Sequence, residues 1–118
     1  MSTIVELRDY QFKKKAVFFR QEEMNELLSL FASRTKTGEW CDYAIEQRNG
    51  IIAFSVFSNM YDAPEFTIAK CSKPPRGGQG QYLLLNGPEK IRQSDSLTEI
   101  LLEFKREEKT NFISLVKA

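Results

Sequence analysis

The sequence predicts an α+β domain: an antiparallel meander sheet of about five strands, flanked by an N-terminal and a C-terminal helix. Three observations predict it. Apolar residues recur with helical spacing near the start of the chain and again near its end. Between those stretches the period drops to two, and Asn-Gly or Gly-Pro signals separate the alternating runs. Helices segregated to the two ends of a run of strands exclude the parallel sheet that crossover helices would build. At 118 residues the chain is the size of one ordinary domain, long enough to bury a core without a metal or a disulfide. Hydrophobic residues at 42% and charged residues at 28% are globular values, which argues against disorder of the whole chain.

Residues 1–16 are polar and weakly patterned, end just after Lys13-Lys14-Lys15, and read as a flexible arm with room for a short strand. A single α+β domain follows over 17–104. Its first helix lies between Arg20 and Thr37, where Met24, Leu27, Leu28 and Phe31 recur at i, i+3, i+4 and i+7. Glu22 and Glu23 in the first turn and Arg34 and Lys36 in the last complement the helix dipole, and Gly38 is a natural stop. Phe19, just before the helix, is placed to pack back on it as a hydrophobic staple.

After Gly38, Cys41, Tyr43 and Ile45 alternate with Asp42, Ala44 and Glu46. Asn49-Gly50 then separates this run from Ile51–Phe57, the strongest short signal for a hairpin. Ile52, Phe54 and Val56 share the inward face. Phe57 points the other way, so either it faces solvent and a partner or the sheet is covered on both sides. Residues 59–64 form a loop, and Phe66 and Ile68 mark a third strand. Residues 72–80 form a Pro/Gly-rich flexible loop before a short strand over 82–85. Asn86-Gly87-Pro88 makes a tight turn, and Ile91 lies on the final strand. Ser94, Asp95 or Ser96 caps the last helix, with Ser96 and Glu99 spaced as a capping box. Leu97, Ile100, Leu101 and Phe104 form its apolar stripe. A charged tail over 105–118 ends in residues apolar enough to dock on the domain. The expected core is Leu27, Leu28, Phe31, Tyr43, Ile45, Ile52, Phe54, Val56, Phe66, Ile68, Leu84, Leu97 and Leu101.

The stretch from Val17 to Phe104 resembles the alphaproteobacterial domain-of-unknown-function 2794 family. The residues that carry the resemblance begin with Phe19, Glu23, Asn25, Leu28 and Ser29. The most specific piece is Gly38-Glu39-Trp40, followed after one position by Asp42-Tyr43-Ala44-Ile45. Phe54-Ser55-Val56-Phe57, Lys70, Gln79-Gly80, Tyr82, Leu97, Ile100 and Leu101 complete it. Cys41 stands where an arginine usually follows the tryptophan, and Asp95 where a histidine usually precedes the last helix. The resemblance implies a bacterial, cytoplasmic protein and carries over no catalytic residues.

The residues themselves exclude several chemistries. There is no histidine, which removes the Ser-His-Asp triad, Cys-His pairs and imidazole acid–base work. Glu39 and Asp42 are close in sequence, but carboxylates so placed commonly flank a turn. Cys41 and Cys71 lie too far apart for a CxxC motif and read as reduced thiols; no metal site is expected. Arg76-Gly77-Gly78-Gln79-Gly80 matches neither a phosphate loop nor a dinucleotide fingerprint, so no cofactor is expected. No apolar run approaches the ~20 residues of a membrane span, and the N-terminus lacks the pattern of a secretory signal, which points to the cytoplasm. Formal net charge is +1, without the basic excess of a dedicated DNA-binding domain.

Two readings of function remain. The leading one is a small non-enzymatic protein-interaction or regulatory module, with Phe57 and Tyr61 as aromatic anchors or an edge strand as the contact. An unpaired edge strand serves a homodimer as readily as a complex with another protein. The alternative is a nucleic-acid-binding protein that uses Lys70, Lys73 and Arg76 beside the 72–80 loop together with the Lys13–Lys15 cluster. The run Ala53-Phe54-Ser55-Val56-Phe57 superficially resembles the aromatic strand of an RNA-recognition motif, but it lacks the preceding basic-Gly-aromatic pattern and reads as a core strand.

Overall fold

The computed structural model describes residues 16–73 and 80–105. The arm expected over 1–16, apart from Ala16, and the tail over 105–118, apart from Lys105, lie outside the described residues. So does the 74–79 part of the loop. Helix α1 (Gln21–Lys36) is followed by β1 (Asp42–Arg48), β2 (Ile51–Phe57), β3 (Phe66–Cys71), β4 (Tyr82–Asn86) and β5 (Glu89–Ser94). A second helix, α2, occupies 97–105. The strands lie side by side in chain order and every neighbouring pair is antiparallel. The fold is therefore the α+β meander with terminal helices that the sequence predicts.

Local chemistry sets the element ends. Asn49 and Gly50 form a two-residue loop, with Arg48 paired to Ile51 across it. Helix α1 ends in a Schellman motif. The Gly38 N–H donates to the Thr35 carbonyl and the Glu39 N–H to the Arg34 carbonyl, with Gly38 at φ 80°. At α2 the Ser96 hydroxyl accepts from the Glu99 N–H at 3.4 Å, half of the expected capping box. The Glu99 carboxylate does not return to Ser96; it accepts from the Ser94 hydroxyl at 3.1 Å.

Both helices pack on one face of the sheet. Leu27 of α1 and Leu97, Ile100, Leu101 and Phe104 of α2 join Phe54, Val56, Ile68, Tyr82 and Leu84 in one buried cluster with Trp40. Trp40 fills the corner between helix and sheet, its ring 5.5 Å from that of Phe104 and 6.4 Å from that of Phe66. Arg34 links the two helices from within: its guanidinium donates to the Phe104 carbonyl and to the Glu39 carboxylate, each at 2.8 Å. It also lies over the Trp40 and Phe104 rings, 5.5 Å from each centroid.

Two residues of the expected core need correction. Tyr43 and Ile45 are 37% and 42% exposed. They belong to β1, which among the described residues has a neighbouring strand on one side only. Tyr43 is covered in part by the rings of Phe31 and Phe54, at 5.0 and 5.1 Å. Of the two alternatives left open by the direction of Phe57, the second holds: the other face of the sheet is also buried. Ile51, Ala53, Ala69, Cys71, Leu83 and Leu85 form a separate cluster there, each at most 1% exposed. The sheet is thus covered on both sides, and β2 is buried from Ile51 through Val56. Ser55 and Thr67 satisfy each other on this face, with their hydroxyl oxygens 3.2 Å apart.

Gly80 sits directly against the main chain where β5 ends. It has φ 109°, and a Cβ there would collide with the Ser94 carbonyl and sit 2.6 Å from the Asp95 nitrogen. Gly38 has a similar sign of φ but open space around it. Gly38→Ala should therefore cost about 1 kcal/mol, from backbone conformation alone. Gly80→Ala adds overpacking against main chain and should cost about 3 kcal/mol or more. Urea denaturation midpoints of the two variants measure the difference; equal losses would contradict it.

Candidate functional site

The most strongly connected polar group in the structure is the Glu23 carboxylate, in the first turn of α1. Its side chain is 3% exposed. One oxygen accepts the Arg20 N–H at 2.7 Å, capping its own helix, and the Lys70 ammonium at 2.8 Å. The other accepts the Tyr82 hydroxyl and, at 3.4 Å, the Arg20 guanidinium. Lys70 comes from β3 and also donates to the Phe18 carbonyl at 3.0 Å. Tyr82 comes from β4. The cluster therefore joins the start of α1 to the middle of the sheet. Burial pushes the Glu23 carboxyl up, but the hydrogen bonds from Lys70, Tyr82 and Arg20 outweigh it and hold it at about 2. Burial and the neighbouring carboxylate push the Tyr82 phenol up to about 12. At neutral pH the cluster is thus a carboxylate with all its partners in place. A carboxylate held that low does not donate a proton near neutrality, so the arrangement anchors a helix and lacks the tuning of a general acid.

A groove of about 630 Å³ runs between α1 and α2, lined by Asn25, Glu26, Ser29, Leu30, Ser33, Thr98, Leu101 and Lys105. Glu26 and Lys105 are the charged residues of that lining. Cys41 is an exposed free thiol and Cys71 a buried one, whose thiol burial pushes up to about 12. Among the described residues, no three His, Cys, Asp or Glu side chains gather as a metal site would require.

The two edges of the sheet each carry three charged residues and an exposed isoleucine, Ile45 on β1 and Ile91 on β5, and differ in regularity. At β5 the register shifts between Leu84 and Leu85, which leaves Ile91 as an extra, unpaired residue. Glu89, Lys90 and Arg92 charge this edge, and Arg92 is tied to Glu103 at 2.9 Å and to Glu99 at 3.2 Å on α2. A bulge and charges are the means by which edge strands avoid adding another strand. At the opposite edge, β1 pairs with β2 over all seven of its residues without a shift. Among the described residues nothing pairs with its outer flank, where Tyr43 and Ile45 are exposed.

The residues singled out from the sequence do not converge. Phe57 is half-buried at the end of β2, opposite Asp42. Tyr61 is 89% exposed on the loop that follows at the same end of the sheet. Lys70 and Lys73 lie at the other end, where β3 pairs back to the start of β2. Lys70, expected beside the loop as an anion contact, is turned inward by its pairing with Glu23. Lys73 is exposed, and Arg76 lies outside the described residues. Sequence reasoning missed the Glu23 cluster because its partners are 47 and 59 positions away in the chain. The one local signal was an acidic residue three positions after the residue that starts the helix, without the Ser or Thr that usually marks a capping box.

These features define a small α+β domain in which a buried carboxylate ties helix α1 to the sheet. The chain belongs to the DUF2794 family, a protein family of unknown function, which matches residues 17–101. No curated protein and no solved structure matches it. No helix among the described residues is long and apolar enough to cross a membrane.

The depressed Glu23 carboxyl makes folding stability depend on pH. Because its folded value, about 2, lies below the ordinary 4.5, its contribution is fully present above pH 5 and is lost as pH falls from 5 toward 2. The expected loss is about 3 kcal/mol. Glu23→Gln should flatten the stability curve over that range, measured by urea unfolding at a series of pH values. Lys70→Ala at pH 7 leaves a buried carboxylate short of its cation and should cost roughly 3 kcal/mol.

Proposed function

We propose that this chain is a small non-enzymatic protein-interaction module of the bacterial cytoplasm, with the outer flank of β1 as its contact surface. The observation that carries the reading is the asymmetry of the sheet's edges. A bulge and a charged ladder to α2 blunt β5, whereas β1 is long, regular and bordered by the exposed side chains of Tyr43 and Ile45. An extended segment added to such an edge gains main-chain hydrogen bonds along its length, and alternate side chains supply specificity. Tyr43 is held in place by Phe31 and Phe54, so a partner meets a pre-positioned aromatic surface.

A nucleic-acid reading draws less support. Of the cations it needs, Lys70 is committed to Glu23 and the Phe18 carbonyl. The two readings separate by salt, because phosphate contacts weaken steeply with ionic strength and apolar or main-chain contacts do not.

The test is recovery of partners by the tagged protein from a bacterial lysate, with and without nuclease, at two salt concentrations. The expected result is a protein retained after nuclease and at high salt, with Ile45→Lys weakening its binding roughly tenfold, equivalent to about 1.4 kcal/mol. Recovery of RNA or DNA that is lost at high salt and with Lys73→Glu and Arg76→Glu together would replace this reading with the nucleic-acid one.

A further inference from the structure

We infer that the strand received by β1 is β1 of a second copy of this chain, paired antiparallel about Ile45, so that two five-stranded sheets join into one. The inference rests on the interaction reading above and names its partner. A two-fold axis normal to the sheet is the operation that sets one edge strand antiparallel to its own copy with matching faces aligned. Under it each residue meets a residue of the same face, so the pairing is centred on a single position.

The sequence of β1, Asp42-Tyr43-Ala44-Ile45-Glu46-Gln47-Arg48, selects that position. Centred on Ile45, all seven residues pair. Asp42 of each copy lies opposite Arg48 of the other, which places an opposite-charge pair at both ends of the ladder. Ile45 meets its own image, and Tyr43 meets Gln47. Centring on Ala44 instead puts Asp42 opposite Glu46, a like-charge pair, and leaves Gln47 and Arg48 with no strand residue to face. Centring on Glu46 leaves Asp42 and Tyr43 facing the Asn49-Gly50 turn. Cross-strand charge pairs favour the first arrangement and penalise the second.

The faces agree with the register. Tyr43, Ile45 and Gln47 pair with Val56, Phe54 and Ile52 of β2, on the face that carries the helices, so the exposed apolar side chains of both copies gather on one side. Asp42 and Arg48 lie on the other side, both exposed in the single chain; one Asp42 oxygen accepts the Tyr43 N–H at 2.8 Å, and the carboxylate has a second oxygen for the end pair. The joined sheet terminates at two β5 strands, each already blunted by its bulge and its charges. A single strand pair buries less than a standard stable interface, so the dimer is reversible and concentration-dependent.

Sedimentation of the full chain over a range of concentrations tests this. The expected result is a reversible shift from 13.7 kDa toward twice that mass. Asp42→Arg alone and Arg48→Asp alone each set two like-charge pairs in place of two opposite ones, and each should weaken the dimer roughly tenfold or more. An equimolar mixture of these two variants should recover the dimer, since one chain then carries two positive strand ends and the other two negative ones. Ile45→Lys, which faces its own image, should also dissociate it. A monomer at every concentration, or a dimer indifferent to the charge substitutions, would overturn the inference. A monomer that still captures another protein through Ile45 would do so while leaving the interaction reading in place.

Discussion

Helix α1 is held to the body of the protein by charges at its two ends. Of its residues only Glu23, Leu27 and Arg34 are fully buried, and two of those three are ionised. Met24, Leu28, Leu30 and Phe31 pack against the core in part, and this apolar stripe does not by itself fix one orientation for the helix. Its orientation comes instead from Glu23, which ties the first turn to β3 and β4, and from Arg34, which ties the last turn to α2 and to the turn that leads into β1. Buried ion pairs add little net stability compared with apolar replacements, but leaving one partner alone is expensive. The two anchors therefore specify where α1 lies more than they strengthen the fold. The rest of the helix face follows, because the position of α1 decides which side chains of β2 and β3 it covers.

The same anchors explain the most recognisable stretch of the chain. Gly38 ends α1 in a left-handed turn, the Glu39 carboxylate receives Arg34, and Trp40 fills the corner against Phe66 and Phe104. Gly38-Glu39-Trp40 thus builds a corner. Gly80 has a comparable duty at the opposite side, where β5 crosses close to the chain entering β4.

How much of this was legible beforehand can be seen residue by residue. The α1 stripe, the Asn49-Gly50 hairpin, the turn around Gly87 and the Ser96 half of the α2 capping box all depend on interactions within a few positions, and the local pattern carried them. Strand order followed too, because short turns between antiparallel runs leave neighbours in sequence as neighbours in space. The burial of Ile51, Ala53, Leu83 and Leu85 did not follow, since a strand covered on both faces loses the alternation by which an inward face is recognised. Nor did the exposure of Tyr43 and Ile45, which alternate as well as any core strand and differ only in lying at the edge.

The sequence by itself determined the class of fold, the element order and the absence of imidazole chemistry, because periodicity, turn residues and composition are local or additive properties. Only the tertiary structure decided that Lys70 faces Glu23 and not an anion, that Arg34 closes the helix pair, and that among the described residues β1 is an edge of the sheet. Those outcomes depend on which distant residues the sheet register and the helix packing bring together, and no spacing along the chain encodes that directly.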